Sequence, residues 1–211
     1  MDELQSIANE WNIPIIEDAA HAVGAKYKGI DIGSISDFTM FSFQAIKHIT
    51  TGDGGMLIIK NKDLIDKAER IRWFGIDRKS KQAGIWENDI TEIGYKYQMT
   101  DIAAAMGIAS LSEFDDQSQI RKSLFQVYEE ELAGCERLRI IGSGYKDREH
   151  AAWLFTVIVE ERYKLQEKLR DNNIESNQVH FRNDRYSIFK EFTNGKVFPN
   201  MDKIEDDYLV L

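Results

Sequence analysis

The chain has 211 residues, a formal net charge of -9 and one cysteine. The acidic balance, with no basic stripe, excludes a nucleic-acid surface, because phosphate binding needs clustered positive charge. The lone Cys135 excludes an intrachain disulfide and fits a reducing compartment. No stretch reads as a signal peptide or approaches the roughly 20 apolar residues that cross a bilayer, so the expectation is a cytoplasmic protein of one or two domains.

Leu4, Ile7, Ala8 and Trp11 recur at helical spacing, which predicts an amphipathic helix over residues 2–11 packing onto a sheet. Pro14 opens an extended run, and Ile13 to Glu17, Phe38 to Phe43 and Met56 to Ile59 read as short buried strands bounded by glycine or turn residues. Asn61 is the expected N-cap of a helix with Leu64, Ile65, Ala68 and Ile71 on one face, ending near Gly75. Residues 76–98 read as irregular, a loop able to cross to a partner subunit. Thr100 should cap an alanine-rich helix, followed by a second helix carrying Phe114, Ile120, Leu124, Val127 and Leu132. Further on, Ala152 to Val159 reads as a strand, Tyr163 to Asn172 as a helix and Ile174 to His180 as a strand. This order predicts an α/β fold with a mainly parallel or mixed sheet that binds ligands at its carboxyl edge, with a change of domain near residue 112.

Lys47 is the chemically suggestive residue. It lies in an apolar, glycine-flanked stretch, Phe41-Ser42-Phe43-Gln44-Ala45-Ile46-Lys47-His48-Ile49-Thr50-Thr51-Gly52-Asp53-Gly54-Gly55. Burial disfavours the ammonium form and makes a neutral amine available to attack a carbonyl. If that carbonyl belonged to pyridoxal phosphate (PLP), a carboxylate would be needed beside the ring nitrogen to keep it protonated. Asp18, at the end of the first strand-like run, is the candidate; Ser42 could donate to a phosphate oxygen, and His21 could face the ring. Taken singly, each has an ordinary reading, Asp18 as a helix cap or turn residue above all. The glycines of Thr51-Gly52-Asp53-Gly54-Gly55 lack the spacing of a nucleotide-binding loop and suit a tight turn instead.

Several segments together resemble one family. Glu17-Asp18-Ala19-Ala20-His21-Ala22, Gly24 to Gly29, Gly33, Asp37-Phe38, Phe41-Ser42-Phe43, Lys47, Thr51 to Gly55 and Gly94 to Gly107 are similar to the DegT/DnrJ/EryC1/StrS family. Its members are PLP-dependent aminotransferases acting on nucleotide-linked keto sugars. The resemblance implies part of a fold type I large domain over 1–111 and a small α/β C-terminal domain over 112–211. It further implies that Lys47 holds PLP, that Asp18 partners the pyridine nitrogen, that His21 lies beside the ring and that Ser42 binds the phosphate. The implied reaction is ping-pong transfer of an amino group from glutamate or another amino donor onto a nucleotide-linked deoxysugar, for cell-surface polysaccharide or related amino-sugar synthesis. A homodimer with a shared active site is the corresponding assembly.

Two departures from the family pattern stand out. Where members carry Gly-Tyr-Asn-Tyr-Arg, with the Asn reaching the neighbouring subunit's cofactor phosphate, this chain has Lys96 and Gln98. Lysine can bind phosphate as a point charge, or the exchange marks a different phosphate arrangement. Members are also longer, so the chain reads as an internal fragment that is inactive alone and exposes surface a missing part should cover.

Among the remaining histidines, His48 is expected to orient or pack, His150 to lie on the surface, and His180 to stand at a substrate-side position. None has metal-ligand spacing with Cys135. The sugar 3-dehydratases of the same fold carry histidine in place of the lysine; Lys47 ranks that activity lower, and His48 falls one place too late. A regulatory relative without catalysis, and a simple α/β binding module with a structural lysine, remain the alternatives.

Overall fold

The computed structural model describes residues 1–87 and 89–211; Asn88, within the 76–98 stretch, lies outside the described residues. Helix α1 (Asp2–Trp11) stops at Asn12, whose φ of 49° ends the helix while the Ile13 N–H bonds back to the Ala8 carbonyl at 3.0 Å. Its apolar face is not packed as expected. Only Ala8 is buried, whereas Leu4, Ile7 and Trp11 are 58%, 51% and 70% exposed.

Strand β1 (Ile16–Asp18) begins later than the apolar run, because Pro14 has no N–H to give and the Ile15 N–H is spent on Asp37 Oδ2 at 2.9 Å. Strands β2 (Lys26–Tyr27) and β3 (Ile30–Asp31) form a hairpin that sequence reading did not anticipate. Lys28 and Gly29 at its tip have φ of 50° and 76°, the left-handed pair that matches the twist of a two-residue turn. Strand β4 (Phe38–Ser42) runs parallel to β1 and antiparallel to β5 (Gly55–Ile59), giving a mixed sheet of order β1-β4-β5.

Thr39, in the central strand, is 0% exposed, and its Oγ1 has no hydrogen-bond partner among the described residues. A buried, unsatisfied hydroxyl costs more than the methyl that could replace it. Thr39→Val is therefore expected to raise unfolding free energy by about 1 kcal/mol in urea titration. A loss of stability would show instead that the hydroxyl is engaged.

Asn61 caps as expected, its Oδ1 accepting from the Asp63 N–H at 3.0 Å, and a 3-10 turn at Lys62–Leu64 leads into α2 (Ile65–Arg72). The expected irregularity of 76–98 is corrected in part by α3 (Arg78–Gln82). Asp77 caps it through the Ser80 N–H at 3.1 Å and the Ser80 hydroxyl at 2.7 Å. Thr100 Oγ1 accepts from the Ala103 N–H at 3.2 Å and caps α4 (Asp101–Ser112), which has no buried residue; Ile102 and Ile108 are 79% and 71% exposed.

Arg70 forks onto Glu92 with contacts of 2.8 and 2.6 Å, and this hydrogen bonding holds the Glu92 carboxyl at about 2, below its ordinary 4.5. A depressed carboxylate stabilises the fold above its unfolded value, and the contribution is lost as pH falls toward the folded one. Melting temperature followed from about pH 5 to about pH 2 should fall less steeply in Glu92→Gln than in the unaltered chain. Identical slopes would contradict the assignment.

Two compact units result: Met1–Gln119 with Asp147–Ala151, and Ile120–Lys146 with Ala152–Leu211. The helix α5 (Phe114–Glu131) supplies Phe125 to the second. After β6 (Leu138–Ile140), the short strand β7 (Arg148–Glu149) pairs with β2 in the first unit. The second unit continues with β8 (Thr156–Val159), α6 (Arg162–Asp171) and β9 (Tyr208–Val210), and its antiparallel sheet has the order β6-β8-β9. Its core is Phe125, Ala152, Phe155, Val157, Val159 and Leu209.

Two strand expectations are corrected here. Ala152 has φ of 53°, incompatible with an extended strand, so only Thr156–Val159 pairs. Ile174 to His180 is not a strand; Asn177 alone bridges to Val210, through hydrogen bonds of 3.0 and 2.8 Å.

Candidate active site

Because β1 and β4 are parallel, their carboxyl ends lie on the same edge of the sheet. Asp18 ends β1 opposite Met40, and Ser42 ends β4 two residues beyond. Asp18 Oδ1 accepts from the Ala20 N–H at 3.1 Å, which tightens the turn that carries the exposed His21. Ser42 Oγ accepts from the Gln44 N–H at 3.3 Å, and an accepting hydroxyl retains its hydrogen for donation.

Lys47 projects from the loop joining β4 to β5. The base of that loop is closed by Phe43 N–H to the Gly54 carbonyl at 2.8 Å and Thr51 N–H to the Phe43 carbonyl at 2.9 Å. Thr51, 5% exposed, donates its hydroxyl to the Asp53 carbonyl at 3.1 Å, and a Cβ on Gly54 would overlap that same Oγ1. A Cβ on Gly55 would stand 2.8 Å from the Phe41 carbonyl oxygen, so the turn needs both glycines for close approach. From α4, Ser110 Oγ accepts the Thr50 N–H at 3.2 Å. His48 Nε2 lies 2.7 Å from the Ala151 carbonyl oxygen.

The Lys47 side chain is half-buried. That burial pushes its ammonium below the ordinary lysine range, and the negative charge of Asp18 works in the opposite direction. Asp18, Ser42 and Lys47 thus share one sheet edge, which presents a carboxylate, a hydroxyl and an amine biased toward its neutral form. Lys96 stands apart from this edge, bridged to Trp73 with its Nζ 6.0 Å from the indole centroid. His180 is in the second unit, where it lines a cavity of about 780 Å³ with Phe181, Tyr186, Phe189 and Phe192. His150 is exposed.

Sequence reading missed the anchors of the lysine loop. Ser110 and Ala151 lie 60 and 103 positions from their partners, and no local spacing signals a contact of that range.

The model of the DegT/DnrJ/EryC1/StrS aminotransferase family matches residues 1–211. The chain belongs to this family. A UDP-4-amino-4,6-dideoxy-N-acetyl-beta-L-altrosamine transaminase of Campylobacter jejuni is 40% identical over 132 residues, which is 63% of this chain and 34% of that one. The crystal structure of AtS13 from Actinomadura melliaura superposes with a TM-score of 0.91 at 33% identity, covering 100% of this chain and 57% of that one. Spr1654 from Streptococcus pneumoniae, solved in a PLP form, gives a TM-score of 0.81 at 29% identity, over 97% of this chain and 54% of that one. This chain therefore spans little more than half the length of these family members, or less.

Within the family fold, the mixed α/β architecture agrees with the sequence expectation. Among the described residues, no helix is long and apolar enough to cross a membrane, and no cluster of three or more His, Cys, Asp and Glu side chains is placed to hold a metal ion.

Proposed function

We propose that the protein is a PLP-dependent aminotransferase that moves an amino group from an amino acid, glutamate by preference, to a keto group of a nucleotide-linked deoxysugar. The observation that carries this reading is the half-buried Lys47 amine held within electrostatic reach of Asp18 at the carboxyl edge of β1 and β4. The donor set suits the cofactor: an amine for its aldehyde, a carboxylate for its ring nitrogen and a hydroxyl for its phosphate. The Campylobacter relative is named for a UDP-linked amino sugar, which supports a nucleotide-linked substrate. Synthesis of cell-surface polysaccharide or related amino sugars is the corresponding role.

When bound, PLP supplies an electron sink for the carbanion left as a proton departs. The chain's own residues have the remaining work. Lys47 would attach the cofactor through its amine, and the same amine, once freed by the incoming donor amino group, would take the proton from the donor's α-carbon. Burial helps by keeping a larger neutral fraction near neutral pH. Asp18 would keep the ring nitrogen protonated, Ser42 would donate to a phosphate oxygen and His21 would serve as the ring-side contact. Lys96, which stands apart from its own chain's sheet edge, is assigned as a point charge to the cofactor phosphate of the neighbouring subunit, and His180 to the substrate. The bare apolar faces of α1 and α4 support a homodimer that shares its active sites, because large exposed apolar patches mark interaction surfaces. With Cys135 its only cysteine, the protein suits a reducing cytoplasm.

The test is glutamate-dependent amination of UDP-, GDP- and dTDP-linked keto deoxysugars by the protein in its native length, with the product followed by mass spectrometry. An amino sugar formed from at least one of them is expected. Turnover of none, with PLP attached at Lys47, would overturn the substrate class.

A further inference from the structure

His48 follows Lys47 directly, and its Nε2 meets the Ala151 carbonyl oxygen at 2.7 Å. A carbonyl only accepts, so Nε2 carries the hydrogen and the ring is the donor. The far end of this bond is well held. Ala151 is 6% exposed, and β7 just before it pairs with β2. The Lys28 N–H adds a bond to the Asp147 carbonyl at 2.6 Å. At the near end, the Phe43, Thr51 and Gly54 bonds close the base of the loop, and Lys47 itself sits on a turn whose N–H reaches the Gln44 carbonyl at 2.9 Å. Closing the base of a loop does not set the direction of its apex, whereas a bond from the residue beside Lys47 to a fixed carbonyl does.

We propose that His48 is a positioning residue. Its Nε2–H bond to the Ala151 carbonyl fixes the apex of the Phe43–Gly54 loop and thereby presents the Lys47 amine, half-buried, to Asp18. This rests on the reading of Lys47 as the cofactor-attaching amine. The role belongs to the bond and not to proton transfer by the ring, so a neutral amide donor of the same reach should serve. Glutamine places its amide nitrogen about where Nε2 stands, while asparagine is too short.

The test needs no cofactor. The chain is labelled with trace acetic anhydride across a pH series, and the label on Lys47 is compared by mass spectrometry with that on exposed Lys62 in the same sample. In His48→Leu, release of the apex lets water reach the amine, and the fraction of Lys47 in neutral form at a given pH should fall toward that of exposed Lys62. Amide exchange in residues 44–49 should speed up alongside. His48→Gln should restore both readouts and His48→Asn neither, so His48→Asn decides the matter if the leucine variant fails to fold. Unchanged Lys47 labelling in the leucine and asparagine variants would overturn the proposal. So would a glutamine variant that melts like the unaltered chain yet labels like the leucine one, because the ring rather than the bond would then be acting. Failure of PLP to attach at Lys47 in the unaltered chain is a separate result, and it would overturn the functional reading instead.

Discussion

Lys47→Ala is expected to abolish specific PLP attachment and to lower amino transfer by roughly 10²–10⁴-fold, the range supplied by a positioned acid–base group. The expectation follows from location and chemistry together. The amine is half-buried, its ammonium is disfavoured by that burial, and Asp18 on the adjoining strand end acts on it electrostatically. Its loop is closed by backbone bonds that do not involve the side chain, so the variant should melt close to the unaltered protein. Lys47→Arg should be equally inactive, because guanidinium stays charged and cannot give a nucleophilic amine. An alanine variant that transfers amino groups at the original rate would place the chemistry elsewhere.

The largest loss of stability is expected from Phe155→Ala. Phe155 is 5% exposed, sits edge-on to Phe125 at 4.9 Å between ring centroids and stacks on Tyr128 at 4.6 Å. Its carbonyl also receives the Leu211 N–H at 2.9 Å, which ties the end of the chain to this core. Truncating a buried phenylalanine removes its transfer free energy and leaves a cavity, together about 3–5 kcal/mol. Hydrogen exchange should localise the loss to β6, β8 and β9, with β1, β4 and β5 of the other unit retaining their protection. A loss under about 1 kcal/mol would mean that the neighbours collapse into the space.

What could be read from the sequence were the features fixed by short-range rules. Helix α1, strands β4 and β5, and the Asn61 and Thr100 caps follow from periodicity and from side chains that reach a backbone N–H two or three residues on. The sheet edge carrying Asp18 and Ser42 was legible for a related reason, since apolar runs ending in polar residues locate strand ends. Contacts and backbone states without a local signature were not legible. β9 pairs with β8 across 50 to 54 positions, from Ile158 with Tyr208 to Thr156 with Val210, and no local spacing signals a pairing of that range. The left-handed Ala152 cut a predicted strand short, and nothing in an Ala-Ala-Trp sequence announces a positive φ. The exposure of α1 and α4 also lay beyond pattern reading, because periodicity shows which face is apolar but not whether this chain covers it.

The most direct measurement is to incubate the chain with PLP, reduce with borohydride and map the modified peptide by mass. A cofactor adduct confined to Lys47, weakened in Asp18→Asn, is expected. Adducts scattered over surface lysines, or none at Lys47, would contradict it.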